Sequence, residues 1–210
     1  MNKKIYAAKN GIIKQKKYYM FLITLMLVGI IAGIIFIFFV DESNKKNIVT
    51  KVNDFFIMLK TSKSINYSKS LSNTILLNLL YVLLIWTLGI SLIGFPIIIV
   101  VLFFRCFVFG LSISSIIYSY GFKGILGSFL YIFPHQIIIL ILYLLLGFYS
   151  LSFCYKLFSL LFLKKTINFN YGMKRYLKIL LLSVVISLVI SIYEVFISTY
   201  FLKLFTSLIK

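Results

Sequence analysis

Long apolar stretches dominate this chain, and the longest of them predicts two membrane-spanning helices in succession. Leu71 to Phe104 contains no charged residue, and only Arg105 separates it from a further apolar run that reaches Tyr118. One spanning helix needs about 20 apolar residues. The region therefore holds two spans, and Gly94-Phe95-Pro96 is the predicted turn between them, since proline suits the first turn of a helix.

The same pattern predicts an all-α polytopic integral membrane protein with five transmembrane helices in a single membrane domain. Polar positions divide the apolar stretches, and Val52 and Leu59 of the long polar loop have a helical spacing that favours a short surface helix. The predicted segments are a basic N-terminus 1–18, a first span 19–39, a loop 41–70, spans 72–92 and 96–118, an interfacial or re-entrant segment 121–133, a span 134–155, a basic loop 156–178 and a span 179–201.

Composition supports the membrane class and changes how the charges are interpreted. The chain is 62% hydrophobic and only 12% charged, whereas a soluble domain is usually about a quarter charged. The net charge of +18 comes mostly from bases between the apolar segments. We therefore interpret these bases as topology signals and contacts with membrane lipids, and we expect no nucleic-acid partner.

The distribution of bases predicts an orientation. The N-terminus and the basic loop 156–178 each carry six bases and no acid, and five spans place both segments on the same face. The positive-inside rule makes that face cytoplasmic. The loop 41–70, which contains Asp41, Glu42 and Asp54, and the C-terminus are then extracytoplasmic.

Three ionisable residues fall inside predicted spans, where charged groups are costly and usually have a role. Arg105 lies near the midplane of the third span, His135 at the outer end of the fourth and Glu194 in the outer half of the fifth. At a rise of about 1.5 Å per residue, these depths favour a Glu194–His135 contact over a Glu194–Arg105 contact. The three groups either lock the bundle or serve transport, and the sequence leaves both interpretations open.

Enzyme chemistry lacks its usual residue patterns in this chain. No G-x-S-x-G elbow surrounds Ser128, and a single histidine cannot complete an H-E-x-x-H zinc motif. Cys106 and Cys154 lie inside apolar segments and are interpreted as buried hydrophobes. We expect no catalytic residue, no metal and no cofactor. A small transporter or permease-like subunit using Arg105, His135 and Glu194 remains the alternative.

The run from Trp86 to Pro96 resembles the central hairpin of the stage II sporulation protein M family. Its sequence, W-T-L-G-I-S-L-I-G-F-P, is followed by a basic residue and then a glycine, as in that family. A Pro-His pair before the fourth span and an acid in the last span continue the resemblance. The residues that carry it are Trp86, Gly89, Gly94, Pro96, Arg105, Gly110, Pro134, His135 and Glu194.

The resemblance implies a non-catalytic membrane scaffold needed when the mother-cell membrane engulfs the forespore in endospore formation. It implies a septal membrane location and recruitment of two peptidoglycan-degrading partners, the sporulation D protein (a lytic transglycosylase) and P protein (an amidase/endopeptidase). These partners would bind the loop 41–70 or the C-terminal end. Alternatively, their membrane anchors would pack on Gly29 and Gly33, whose G-x-x-x-G spacing lets helices approach closely. A homodimer also stays open.

Overall fold

The computed structural model describes residues 3–61, 67–131, 133–162, 169–198 and 200. Five of the helices in these ranges contain stretches long and apolar enough to cross a membrane, which confirms the predicted all-α fold with five spans. In chain order the helices are α1 (Lys3–Phe39), α2 (Glu42–Thr61), α3 (Tyr67–Ile90), α4 (Gly94–Tyr131), α5 (Phe133–Phe162) and α6 (Phe169–Tyr193), and a π-helical turn (Glu194–Ser198) continues α6.

α5 is the central helix of the bundle. It is the most buried of the five candidate spans, and it packs against α3, α4 and α6, while α1 packs chiefly against α4. Its buried residues Ile139, Leu142, Tyr143 and Leu146 recur at the helical period, so one face of α5 forms the core. The outward faces of the other spans stay apolar and exposed, as lipid contact requires.

Most helices extend beyond the predicted spans. α3 begins at Tyr67 instead of 72, α5 continues to Phe162 instead of 155, and α6 begins at Phe169 instead of 179. Lysine and arginine are good helix formers, and their long side chains reach polar surroundings, so a basic segment can continue a helix past the apolar core. The described bases of the predicted loop 156–178 therefore lie on helix ends; they are Lys156, Lys174, Arg175 and Lys178.

The predicted loop 41–70 contains a helix, α2, as the helical spacing of Val52 and Leu59 favoured. Asp41 precedes its first residue, a position at which aspartate is favoured, and the backbone oxygen of Asp41 accepts a hydrogen bond from Lys45 N (2.9 Å). The Tyr120 hydroxyl of α4 donates to Asn53 Oδ1 at 2.8 Å. This bond fixes α2 against the end of α4.

The turn between the second and third spans lies before the predicted Gly94-Phe95-Pro96. The chain turns at Ser91 to Ile93, and Gly94, Phe95 and Pro96 are the first residues of α4. Ser91 N donates to Leu88 O (3.0 Å), and Gly94 N donates to Ser91 O (3.1 Å). A Cβ at Gly94 would collide with the carbonyl oxygen of Leu88, so the tight turn requires glycine as its exit residue.

α4 breaks at Gly121, which has φ 57° and ψ −133°, a conformation suited to glycine. The residues after the break turn back onto the helix, since a Cβ at Gly124 would lie 2.9 Å from the Cα of Ile117. The segment predicted to be interfacial or re-entrant is therefore a short helix folded back along the end of the third span.

Some predicted features lie outside the described residues. These are Lys164 and Lys165, positions 62–66 of the predicted loop 41–70, and the end of the predicted fifth span at 201 with the C-terminus.

Candidate functional site

Polar side chains from four helices converge inside the bundle, and we call this set the buried polar cluster. Three of the helices contribute residues spaced three, four, seven or eight positions apart, which places them on one face of each of these helices, and α4 contributes one residue. The cluster consists of Asn78 and Tyr81 on α3, Arg105 on α4, His135 and Tyr143 on α5, and Ser187, Ser191 and Glu194 on α6 and its π-helical turn.

Glu194 and His135 are brought together, as their predicted depths favoured. His135 Nε2 lies 4.0 Å from Glu194 Oε1, and the imidazole is buried while the carboxyl keeps some exposure. The Asn78 amide lies close enough to interact with the same carboxyl, and Arg105 interacts with it electrostatically. Glu194 therefore has polar neighbours on three other helices.

A hydrogen-bonded chain connects α3 to α6 beside this pair. Asn78 Nδ2 donates to Ser191 Oγ at 3.0 Å, and Ser191 Oγ donates to the backbone oxygen of Ser187 at 2.8 Å. All three residues are buried. In an apolar bundle such interhelical bonds contribute about 0.6–2 kcal/mol each, so this chain helps to set the position of α6.

Arg105 lies between aromatic rings. Its Cζ is 4.8 Å from the ring centroid of Tyr81 and 5.7 Å from that of Tyr143. Cation–π contacts contribute about 2 kcal/mol when they are desolvated. Within the part of the chain that the structure describes, the Arg105 Nε and the Tyr143 hydroxyl have no hydrogen-bond partner. The guanidinium therefore contacts two ring faces in addition to its electrostatic interaction with Glu194.

A second contact, the aromatic clamp, fixes the hairpin at the other end of α3. The Tyr176 ring stacks between Trp86 (centroids 5.4 Å apart) and Phe153 (4.5 Å). The Tyr176 hydroxyl donates to Trp86 O at 2.7 Å and lies 2.8 Å from Ser150 Oγ, which is then the donor to it. A Cβ at Gly89 would collide with that hydroxyl. The clamp thus needs glycine at position 89 and joins α3, α5 and α6.

The predicted G-x-x-x-G face lies in a glycine seam between α1 and α4. A Cβ at Gly29 would lie 2.9 Å from Phe103 O, one at Gly33 would collide with Phe107 O, and one at Gly110 would collide with Ile30 O. Because α4 covers this face, it is not open to a partner's membrane anchor. That sequence-based expectation is wrong.

The acidic and basic groups of the described cluster are one carboxylate, one imidazole and one guanidinium. Among the described residues, no group of three or more His, Cys, Asp or Glu side chains could hold a metal ion. Both thiols are buried, and Cys154 Sγ contacts Ser91 O at 3.2 Å, at the hairpin turn.

Several members of the site escaped the sequence analysis. Asn78 had a usable signal, because an amide inside an apolar span is unusual, and the spacing of Ser187, Ser191 and Glu194 indicates a shared face. Tyr81, Tyr143 and Tyr176 had no such signal, because the chain contains 15 tyrosines.

These features define an all-helical membrane protein of five spans, with a polar interior and a tight, clamped hairpin between the second and third spans. The family model of stage II sporulation protein M matches residues 22–199, which include the buried polar cluster, the clamp and the glycine seam. The chain belongs to that family and is a sporulation-related, multi-pass membrane protein. No curated protein and no solved structure matches the chain significantly.

Proposed function

We propose that this protein is a non-catalytic membrane scaffold for engulfment, which recruits peptidoglycan-degrading enzymes to the septal membrane. Family membership supports the link to sporulation. The observation that carries the scaffold role is the use of interior polar groups for contacts between helices. The Asn78–Ser191 bond and the Tyr176–Trp86 bond each join elements far apart in sequence and fix the bundle.

The proposed partners are the sporulation D and P proteins that the family resemblance implies. α2 and the folded-back end of α4 form the proposed docking surface, on the extracytoplasmic side if the basic N-terminus is cytoplasmic. The Tyr120–Asn53 hydrogen bond holds α2 against the part of α4 directly before the break at Gly121, from which the folded-back end follows. A surface held in place before binding loses less conformational entropy when a partner docks.

Co-purification from sporulating membranes tests this role. We expect the D and P proteins to co-purify with the wild-type chain and to be reduced for Asn53→Ala, which removes the bond to Tyr120. Thr50→Ala is the matched control, because the Thr50 hydroxyl donates to Lys46 O within α2 (2.9 Å). The scaffold proposal fails if neither enzyme co-purifies with the wild-type chain at normal abundance.

A small transporter or permease-like subunit is the second candidate. One observation favours it: the buried Nε atom of the half-buried Arg105 and the buried Tyr143 hydroxyl have no hydrogen-bond partner within the described residues. Substrate pathways in membranes use such groups. Solute flux in proteoliposomes that Glu194→Gln abolishes, at unchanged abundance, would support this candidate. Absence of flux together with co-purified hydrolases would support the scaffold.

A further inference from the structure

A small cleft lies between the end of α5 and the start of α6, away from the buried polar cluster. Its volume is about 90 Å³, and its lining includes Ser152 and Lys156 on α5 and Gly172 and Arg175 on α6. A water molecule occupies about 30 Å³ of liquid. The cleft therefore has room for a small polar group.

The electrostatics of the cleft favour an anion. Lys156 on α5 and Arg175 on α6 both line the cleft and are exposed, and none of its described lining residues is acidic. The Arg175 Cζ lies 5.8 Å from the ring centroid of Tyr149, which also lines the cleft, so this contact keeps the guanidinium beside it. Gly172 lies in the first turn of α6, where the helix dipole adds partial positive charge.

The other lining residues indicate that the anion carries an apolar chain. Phe148 and Ile179 line the cleft on the side of the membrane-spanning core. A ligand with its anionic group between Lys156 and Arg175 would extend its apolar part along these side chains. Basic pockets between membrane helices at the cytoplasmic side are suited to phosphate headgroups.

We propose that this cleft binds the phosphate group of an anionic phospholipid. The lipid belongs to the leaflet at the end of the bundle where α5 ends and α6 begins, which is the cytoplasmic leaflet in the orientation proposed above. Lys156 and Arg175 hold the phosphate from two sides, and Phe148 and Ile179 contact the first methylenes of an acyl chain.

The tryptophan of the clamp provides a spectroscopic reporter. The chain has one tryptophan, Trp86, and its ring stacks on Tyr176, which also lines the cleft. Detergent-solubilised full-length protein is titrated with short-chain phosphatidylglycerol while Trp86 emission is followed. Lys156→Gln and Arg175→Gln should each raise the apparent Kd by roughly fivefold or more, the effect of about one cation near an anionic lipid.

Matched controls separate the cleft from general surface charge. Lys174→Gln and Lys178→Gln remove the same charge from α6 outside the cleft lining, and each should change the Kd by less than about twofold. Arg175→Lys keeps the charge and should retain more affinity than Arg175→Gln, which guards against a folding defect. Equal weakening by the control variants would overturn the proposal.

Two further ligands identify the source of the phosphate. Phosphatidylcholine of the same chain length should bind more weakly, because its headgroup carries no net charge. Glycerol phosphate without acyl chains should compete poorly, because it cannot contact Phe148 and Ile179. Equal binding of phosphatidylcholine would refute an anion site, and effective competition by glycerol phosphate would show a soluble ligand in place of a lipid.

Discussion

One methyl group added at Gly33 should loosen the contact between α1 and α4. Gly33→Ala places a Cβ against the backbone of α4, where it would collide with Phe107 O and lie 2.9 Å from Leu111 N. Neither atom can move by a change of side-chain rotamer, so the two helices must separate. The α1–α4 packing is the most extensive helix contact of the described residues. Its loss would therefore weaken the attachment of the whole first span to the bundle.

The expected loss is about 2 kcal/mol. An extra methyl in a well-packed interior costs about 1–3 kcal/mol, and an immovable backbone obstacle favours the upper end of that range. Replacing glycine by alanine inside a helix also stabilises the helix by about 1 kcal/mol, because alanine loses less conformational entropy on folding. The difference of about 2 kcal/mol corresponds to roughly a 30-fold increase in the population of the opened seam.

Thiol labelling of Cys106 measures that population. Cys106 is fully buried, and its Cβ lies 3.0 Å from the position that a Cβ at Gly29 would occupy, so it reports directly on the seam. When the seam opens and closes quickly, the labelling rate by an apolar maleimide follows the opening equilibrium. Cys154, at the hairpin turn, serves as the internal reference, and mass spectrometry distinguishes the two thiols.

Gly172→Ala is the matched control, because a Cβ there would meet only Phe153 Cε2, at an ordinary 3.9 Å. Its Cys106 labelling should equal that of the wild type. Gly110→Ala should act like Gly33→Ala, because it collides with Ile30 O on the same seam, and the double variant should cost less than the sum of the two. Wild-type labelling in Gly33→Ala would refute the close approach of the two helices.

Three further substitutions test the clamp, the break in α4 and the arginine site. Tyr176→Phe keeps the stacked ring but removes the hydroxyl that bonds Trp86 O and Ser150 Oγ; it should lower stability by about 1–2 kcal/mol and shift the Trp86 emission, and an unchanged melting temperature would count against the clamp. Gly121→Ala meets no atom of the described residues within 4 Å but must adopt φ 57°. We therefore expect a loss of about 1–3 kcal/mol from backbone strain alone, measured as a lower melting temperature than in Gly172→Ala. Arg105→Met removes the cation between Tyr81 and Tyr143. It should lower the amount of folded protein in membranes more than Arg105→Lys, which keeps the charge. Equal abundance of the two variants would show that the ring contacts do not stabilise the fold.

The fold could be predicted largely from hydropathy, because the bilayer imposes helices on apolar segments of sufficient length. The residues at which those helices begin and end could not be predicted from hydropathy. Lys156 and Arg175 extend helices that hydropathy would stop, since a base at the headgroup level tolerates helical structure as well as a loop does. The turn lies at Ser91–Ile93 because Gly94 approaches the Leu88 carbonyl closely. This close contact could not be predicted from the sequence.

Only the charged members of the candidate site were identified from the sequence. Their positions along the spans predicted that Glu194 and His135 lie at the same depth, and the structure places His135 Nε2 4.0 Å from Glu194 Oε1. Which neutral residues surround them depends on the rotation of each helix about its axis. That rotation is set by contacts between residues far apart in sequence, such as Asn78 with Ser191. Such contacts cannot be predicted from one sequence alone.

The five spans are joined by two kinds of contact, and each has a consequence for a scaffold. Apolar side chains gain little from leaving lipid for a helix interface, so close backbone approach and polar bonds must hold the spans. α1 relies on the glycine seam with α4, whereas α6 is bound to α3 at two depths, through Asn78–Ser191 and through Tyr176–Trp86. Seam substitutions should therefore release α1 while the clamp still holds α6. α2 follows α1 directly in the chain and forms part of the proposed docking surface. Seam substitutions should therefore weaken partner binding before they unfold the rest of the bundle.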